Sequence, residues 1–223
     1  MKETKFKGIF ETNKKGRIRL FTKNLVPGKK VYEEKLVKEG KTEFREWDPK
    51  RSKLAAAILK GTNHIGLKET DAVLYLGAST GTTPSHVSDI LGKTGFMFAL
   101  DFAPRVVREL VFLAENRPNI APILADANKP LSYQNRISEV DFIYQDIAQK
   151  HQAEIFLKNC RLFLKKGGFC FLAVKSRSID VTKKPKQVYR EVKEKLEKEL
   201  TIVDQREISP FQIDHCIFVC KKK

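Results

Sequence analysis

Val73-Leu-Tyr-Leu-Gly-Ala-Ser-Thr-Gly-Thr-Thr83 is the stretch that decides the fold. Val73 to Leu76 is a short apolar run, as expected for a buried parallel strand. It stops at Gly77, and Gly77 with Gly81 shapes a tight loop. Pro84 follows, at a favourable first position for a helix whose apolar face is Val87, Ile90 and Leu91. Strand, glycine loop and helix N-terminus form a cradle for a nucleotide-like cofactor. Glycines let the backbone approach a ligand, and free N–H groups face it. The spacing is not G-x-G-x-x-G, which weakens a dinucleotide reading.

Outward from this segment, strands and helices alternate. Phe96–Leu100, Ala121–Leu124, Val140–Tyr144 and Phe169–Val174 read as further strands, the last entered through Gly167-Gly168. Pro104 opens a helix with Val107, Leu110, Val111 and Ala114 on one face. Ala153, Phe156, Leu157, Cys160 and Leu164 mark the next helix. Pro185 opens a charged helix with Val188, Val192, Leu196 and Leu200 at every fourth position, most simply a solvated face. Thr201–Val203 and Cys216–Cys220 read as closing strands. The pattern predicts an α/β chain with an open, mostly parallel sheet and helices on both faces.

Residues 1–48 differ. Ile18 and Leu20 alternate with Arg17 and Arg19, and turns are signalled at Asn13-Lys-Lys-Gly16 and Pro27-Gly28. A small N-terminal β domain over 1–48 is expected to pack on a larger domain over 49–223, because so few strands are marginal alone. Asp48 as cap and Pro49 in the first turn are expected to start a helix holding Lys53, Leu54, Ala57 and Ile58.

In open α/β sheets, ligands bind beyond the carboxyl ends of the strands. Gly77, Asp101, Asp126, Asp146 and Lys175 lie at or just after five such ends. Asp101 suits a ribose diol, or caps the helix opened by Pro104. Asp126 accepts from an adenine amino group, or is an ordinary loop residue.

Composition narrows the partners. The 223 residues include 43 basic and 27 acidic ones, a formal net charge of +16, with 41% hydrophobic content. The excess favours a polyanion, nucleic acid first and an anionic membrane surface second, unless the lysines merely solvate the surface. No apolar stretch is long enough for a membrane span, and the start carries no signal-peptide pattern. Cys160, Cys170, Cys216 and Cys220 show no C-x-x-C spacing, and three of them fall in apolar runs as small core residues, so reduced thiols and no metal site are expected.

The glycine loop resembles the first motif of S-adenosylmethionine (SAM) methyltransferases. Tyr75 stands where an acidic residue is usual, and Ser79 replaces the middle glycine. Tyr75–Thr83, Ala125-Asp-Ala127, Tyr144-Gln-Asp-Ile-Ala-Gln149, Lys175-Ser-Arg-Ser-Ile-Asp-Val-Thr182, Asp214-His215 and Trp47-Asp-Pro-Lys-Arg-Ser-Lys-Leu-Ala-Ala-Ala57 together resemble fibrillarin over essentially the whole chain. The resemblance implies a Rossmann-like SAM-dependent methyltransferase sheet with a small N-terminal β domain. It implies ribose 2′-O-methylation of rRNA and tRNA, as the catalytic subunit of a box C/D guide ribonucleoprotein. The implied partners are the guide RNA and its target, a Nop-family scaffold and a kink-turn-binding ribosomal-protein-like subunit. The chain begins directly in the β unit, without the Gly/Arg-rich tail of eukaryotic members. An archaeal-type, cytoplasmic protein is therefore expected.

Carried over by motif, the resemblance implies SAM contacts from Gly77, Gly81, Thr82 and Thr83. It adds Asp101 and Phe102, Asp126 and Ala127, and Asp146, Ile147, Ala148 and Gln149. The family often has Glu where this chain has Asp101, a shorter arm toward the ribose. The implied catalytic group is Lys53, Asp146, Lys175 and His215. A 2′-hydroxyl is a weak nucleophile that must be oriented and relieved of its proton. Lys175 is expected to contact it and Asp146 to orient Lys175. Lys53 is expected to hold a neighbouring phosphate or ribose, and His215 to fix the hydroxyl or help the proton leave. Without the resemblance, Lys53 reads as a surface helix lysine and His215 as a satisfied histidine at a strand start. Two other functions stay open: methylation of a protein glutamine, and a non-catalytic RNA-binding assembly role.

Overall fold

A computed structural model describes all residues, 1–223. The N-terminal strands β1 (Lys2–Glu3), β2 (Ile9–Lys14), β3 (Arg17–Lys23), β4 (Leu36–Glu39) and β5 (Thr42–Trp47) form an antiparallel sheet ordered β1-β2-β3-β5-β4. Lys15 and Gly16 both have positive φ, the two-residue turn whose twist matches a hairpin. Leu20 is buried, but Ile18 is exposed. β5 pairs with β3 only from Leu20 to Lys23, so the hairpin tip carrying Ile18 extends past its cover.

The helix after this sheet, α1 (Lys53–Leu59), starts later than the sequence signal. Ser52 is its cap, accepting from the Ala55 N–H, whereas the Asp48 carboxylate accepts from the Lys50 N–H and shapes the preceding turn. Lys53 is therefore the first helical residue.

The second sheet comprises β6 (Ala72–Leu76), β7 (Phe96–Asp101), β8 (Ile120–Leu124), β9 (Val140–Gln145), β10 (Leu164–Lys175), β11 (Leu200–Glu207) and β12 (His215–Lys222). Between them run α2 (Thr82–Leu91), α3 (Pro104–Ala114), α4 (Gln152–Phe163), α5 (Ser176–Ile179) and α6 (Pro185–Glu197). The order is β11-β12-β10-β9-β6-β7-β8; β6 to β10 are parallel, and β12 runs antiparallel between β10 and β11. The α/β expectation holds. Pro84 lies in the first turn of α2 rather than at its first position, because the helix, capped by Gly81, already starts at Thr82. Leu164 and Leu200 begin strands instead of ending helices, since their backbones pair with Val140 and Lys222. Val111 is exposed.

Period-two alternation sorts the strand residues onto two faces. Leu74, Leu76, Ile143, Leu172 and Val174 join the core under α4 and α6. Val73, Tyr75, Tyr144, Phe171 and Ala173 join the core under α1 and α2, which also takes in Ile9, Leu20 and Trp47 of the first sheet. Burying a large apolar side chain contributes about 1.5–3 kcal/mol, so this common core ties the two sheets together. All four cysteines are buried and free. No helix is long and apolar enough to cross a membrane.

Candidate active site

The chain leaves β6 for β7 and β8 on one side, then returns to β9 on the other, so strand order reverses between β6 and β9. The carboxyl ends of these two strands bound a crevice, where open α/β sheets hold their ligands. Gly77 has φ +83°, and a Cβ there would lie 2.4 Å from the Asp146 carbonyl oxygen. Only glycine lets the two loops approach this closely. Gly77 and Ala78 donate their N–H groups to the Leu100 carbonyl, and Gly81 donates to Ala78. Ser79 donates to the Asp101 carboxylate at 2.9 Å. Ser85 bonds Gly81, and Pro84 has no N–H. The N–H groups of Thr80, Thr82 and Thr83 are left without a protein acceptor, at the mouth of a helix N-terminus.

Asp101 reconciles its two sequence readings. Its carboxylate accepts from Ser79 on one oxygen and from Ala103, just before α3, on the other. A carboxylate offers about four lone-pair positions, so two remain for a diol. Phe102 follows with its ring mostly exposed. Asp126 shapes its own turn by accepting from the Asn128 N–H. Ala127 is buried and uses its carbonyl to accept from Asn159 and Tyr133. Asp146 to Gln149 form the loop after β9, with Asp146 N–H held by the Leu76 carbonyl.

The four residues of the implied catalytic group meet on one face of the sheet. On β9, Phe142 and Tyr144 point into the core shared with α1; two residues on, Asp146 continues that row. On β10 the row is Phe171, Ala173 and Lys175. On β12, Ile217 and Val219 belong to the same face, which places His215 on it too. Lys53 enters from α1 above, and its Nζ donates to Asp146 Oδ2 at 2.6 Å. Beneath the group, Tyr75, Tyr144 and Phe171 stack across β6, β9 and β10 with ring centroids 4.3 and 4.8 Å apart. This rigid aromatic floor occupies the site of Tyr75, where the motif usually has an acid.

Lys175 and His215 are direct partners in the β10–β12 ladder. The N–H and C=O of Lys175 both bond to Gln152, away from β12. The pair is therefore of the non-hydrogen-bonded kind, in which facing side chains stand closest. The Lys175 side chain is exposed and its amine makes no ion pair within the chain. His215 Nδ1 lies 2.7 Å from the Ile213 carbonyl. A carbonyl only accepts, so Nδ1 carries the hydrogen and Nε2 keeps its lone pair. Burial holds the His215 pKa below its usual value. The Lys53 and Lys175 charges add to this, while the Ile213 carbonyl and Asp146 oppose it. All three charged groups thus lie near enough to act on the imidazole.

One expectation needs correction. Asp146 pairs with Lys53, not with Lys175. The first turn of α1 reaches over the β9 end and takes the carboxylate, so Lys53 is not a free cation for phosphate. Sequence reasoning also missed two polar assemblies. Gln145 and Gln152, both fully buried, support the Lys175 backbone. The other assembly, around Arg45 and Asp89, joins the two sheets.

The likeness to known proteins covers the whole chain. A family model described as fibrillarin matches residues 1–223. A fibrillarin-like rRNA/tRNA 2′-O-methyltransferase of Methanocaldococcus jannaschii is 52% identical over 225 residues, spanning 98% of this chain and 97% of that protein. Aeropyrum pernix fibrillarin, solved with natively bound S-adenosyl-L-methionine, superposes with a TM-score of 0.88 at 44% identity, over 96% of this chain and 94% of the other. A fibrillarin chain from a fibrillarin/Nop5p complex gives a TM-score of 0.85 at 41% identity, over 92% and 94%.

Proposed function

Because this chain belongs to the fibrillarin family, we propose that it is a SAM-dependent rRNA/tRNA ribose 2′-O-methyltransferase, working as the catalytic subunit of a box C/D guide particle. One observation carries the reading: Lys175 and His215 face each other at closest ladder spacing, beside Asp146–Lys53 and next to a glycine-loop crevice. The crevice residues fit the cofactor. The free N–H groups of Thr80, Thr82 and Thr83 suit a carboxylate, the spare lone pairs of Asp101 suit a ribose diol, and Phe102 and Asp126 suit an adenine. When bound, SAM supplies an electrophilic methyl on a cationic sulfonium.

The chain's own groups orient the nucleophile and take its proton. The Lys175 amine, free of other partners, holds the 2′-hydroxyl. His215 Nε2 accepts the hydroxyl proton, because Nδ1–H is committed to Ile213 and burial keeps the ring neutral. Asp146 is held by Lys53 and supports the imidazolium as it forms. Much of the rate gain comes from alignment of the reacting groups.

The net charge of +16 suits an RNA substrate. Guide pairing accounts for target choice. A Nop-family scaffold, like the Nop5p of the solved complex, and a kink-turn-binding subunit would hold enzyme and guide together. The test is methylation by the reconstituted particle, mapped nucleotide by nucleotide. Methyl groups at the guide-specified ribose support the reading. Methylation of protein glutamine instead, or no transfer to any acceptor, overturns it.

A further inference from the structure

We infer that Gln152 is a positioning residue for Lys175: its side-chain amide replaces the strand that β10 lacks where Lys175 sits. The inference rests on Lys175 being the residue that holds the hydroxyl. β9 leaves β10 after the pair Gln145–Leu172, whereas β10 continues to Lys175. On its other edge Lys175 is still laddered to His215. Its N–H and C=O, however, point to the side that β9 has vacated. Buried backbone groups there need partners. Gln152, the first residue of α4, supplies both. Its Oε1 accepts the Lys175 N–H at 3.2 Å, and its Nε2 donates to the Lys175 carbonyl at 3.2 Å. One amide thus makes both bonds of a missing ladder rung.

The clamp is itself anchored. Gln145, the last residue of β9, donates from Nε2 to the Gln152 carbonyl at 2.7 Å, and both glutamines are fully buried. Gln145 alternates with Tyr144 and Asp146 along β9, so it lies on the face opposite the catalytic side chains. The support therefore comes from behind and touches no reacting atom. Lys175 has a long side chain with no partner within the chain, so the place its amine reaches depends on its backbone direction. Fixing that backbone at both polar atoms fixes the direction.

The residue type is specific. A rung needs one donor and one acceptor at peptide-like separation. An ionised Glu offers two acceptors and no donor; a protonated Glu offers one of each. This gives a signature that a purely structural role would not produce. In Gln152→Glu, the methylation rate relative to wild type should be nearly normal at low pH and fall as pH rises. The ratio cancels the titration of His215, which both proteins share. In Gln152→Ala, the single-turnover rate in the assembled particle should fall about 10–100-fold, the scale expected from displacing an aligned group by roughly 1 Å. SAM affinity should hold within about twofold, since the cofactor crevice lies across β9. Rates are compared at a temperature where circular dichroism shows both proteins folded.

Amide hydrogen exchange on the free chain gives a readout independent of activity. The Lys175 N–H should lose protection in Gln152→Ala, while Ser176, bonded to the Asp214 carbonyl, keeps its own. An unchanged rate in Gln152→Ala, a pH-independent ratio in Gln152→Glu, or protection of Lys175 that survives the substitution each overturns the inference. A loss of SAM affinity that accounts for the whole rate defect overturns it too. A wild-type particle that methylates no RNA defeats the functional reading instead, and the exchange experiment then decides the clamp alone.

Discussion

Two groups of charged side chains sit on the same face of the large sheet, and they are built to opposite rules. Between the first sheet and α2, Arg45 donates to Glu34, Asp89 and Ser85, and Arg117 donates to Asp89, all in full burial. Asp89 also accepts from Thr22 and from the Leu25 N–H. Since the Thr22 hydroxyl gives its hydrogen to Asp89, His86 Nδ1 must donate to Thr22, leaving Nε2 to accept from Tyr32. At the crevice, by contrast, the Lys53–Asp146 pair is about one-fifth exposed, with side-chain accessibilities of 20% and 24%. The Lys175 amine and His215 Nε2 stay free. Saturated hydrogen bonding marks the group that holds the molecule together, and spare capacity marks the group that acts on something else.

Asp89→Ala attacks the saturated group. It strands the buried Arg117 guanidinium and leaves Arg45 to Glu34 alone, and breaking a buried pair this way costs about 3–5 kcal/mol. Urea unfolding should show that loss, while methylation by the protein that remains folded should stay close to wild type. A large rate defect with normal stability would erase the distinction between the groups.

Lys175→Ala attacks the open group and should do the reverse. Positioned proton-transfer groups contribute about 10²–10⁴-fold, so the single-turnover rate should fall at least about a hundredfold. SAM binding and unfolding midpoint should hold. Lys175→Arg should not rescue the rate, because a guanidinium fork differs in shape and stays protonated. A near-normal rate in Lys175→Ala, in the assembled particle with saturating SAM and target RNA, would remove Lys175 from the mechanism.

Much of this division was legible in the sequence, but unevenly. The strand-end rule put Asp146 just after Val140–Tyr144 and Lys175 just after Phe169–Val174, so two strand ends could be read as one site. The partner of Asp146 could not. It depends on where α1 crosses the sheet, and the sequence signal put the helix start at Asp48-Pro49, short of the Ser52 cap that the structure shows. The saturated group was invisible for a plainer reason. Arg45, Asp89 and Arg117 are far apart in the chain and of types normally found in solvent. Only tertiary packing reveals that they neutralise each other. The Gln152 clamp escaped because it binds backbone, which carries no residue-specific signal.

Cofactor binding sharpens the comparison at smaller scale. Asp101→Ala and Asp126→Ala should each weaken SAM binding by about 1–3 kcal/mol in calorimetry, as when one partner of a buried hydrogen bond is lost. Unchanged affinity in the double variant would move the cofactor away from these strand ends.

Acid should affect both groups through their histidines, by about 1.4 kcal/mol per pH unit at most for each. Burial, helped by the Arg45 and Arg117 charges, holds the His86 pKa well below 6.5, and His215 is lowered less. Below pH 6.5 the unfolded chain binds protons that the folded chain refuses. Stability should therefore fall as pH drops from about 6.5 toward the folded values, and stay level in this respect above it. His86→Gln should flatten that slope in urea titrations. The methylation rate should lose its proton acceptor on an acid limb below 6.5, and His215→Ala should abolish the limb.

Trp47 is the one tryptophan of the chain. It is 1% exposed and stacks on His86 with centroids 5.0 Å apart. Intrinsic fluorescence excited at the indole band is thus a report from a single address, the seam between the sheets. The emission is blind to the crevice and sensitive to the seam, and a protonated His86 lying flat on the ring would quench it. Far-ultraviolet circular dichroism averages over every strand and helix. The gap between the two signals during denaturation measures whether the small sheet lets go before the large one melts, with no label attached.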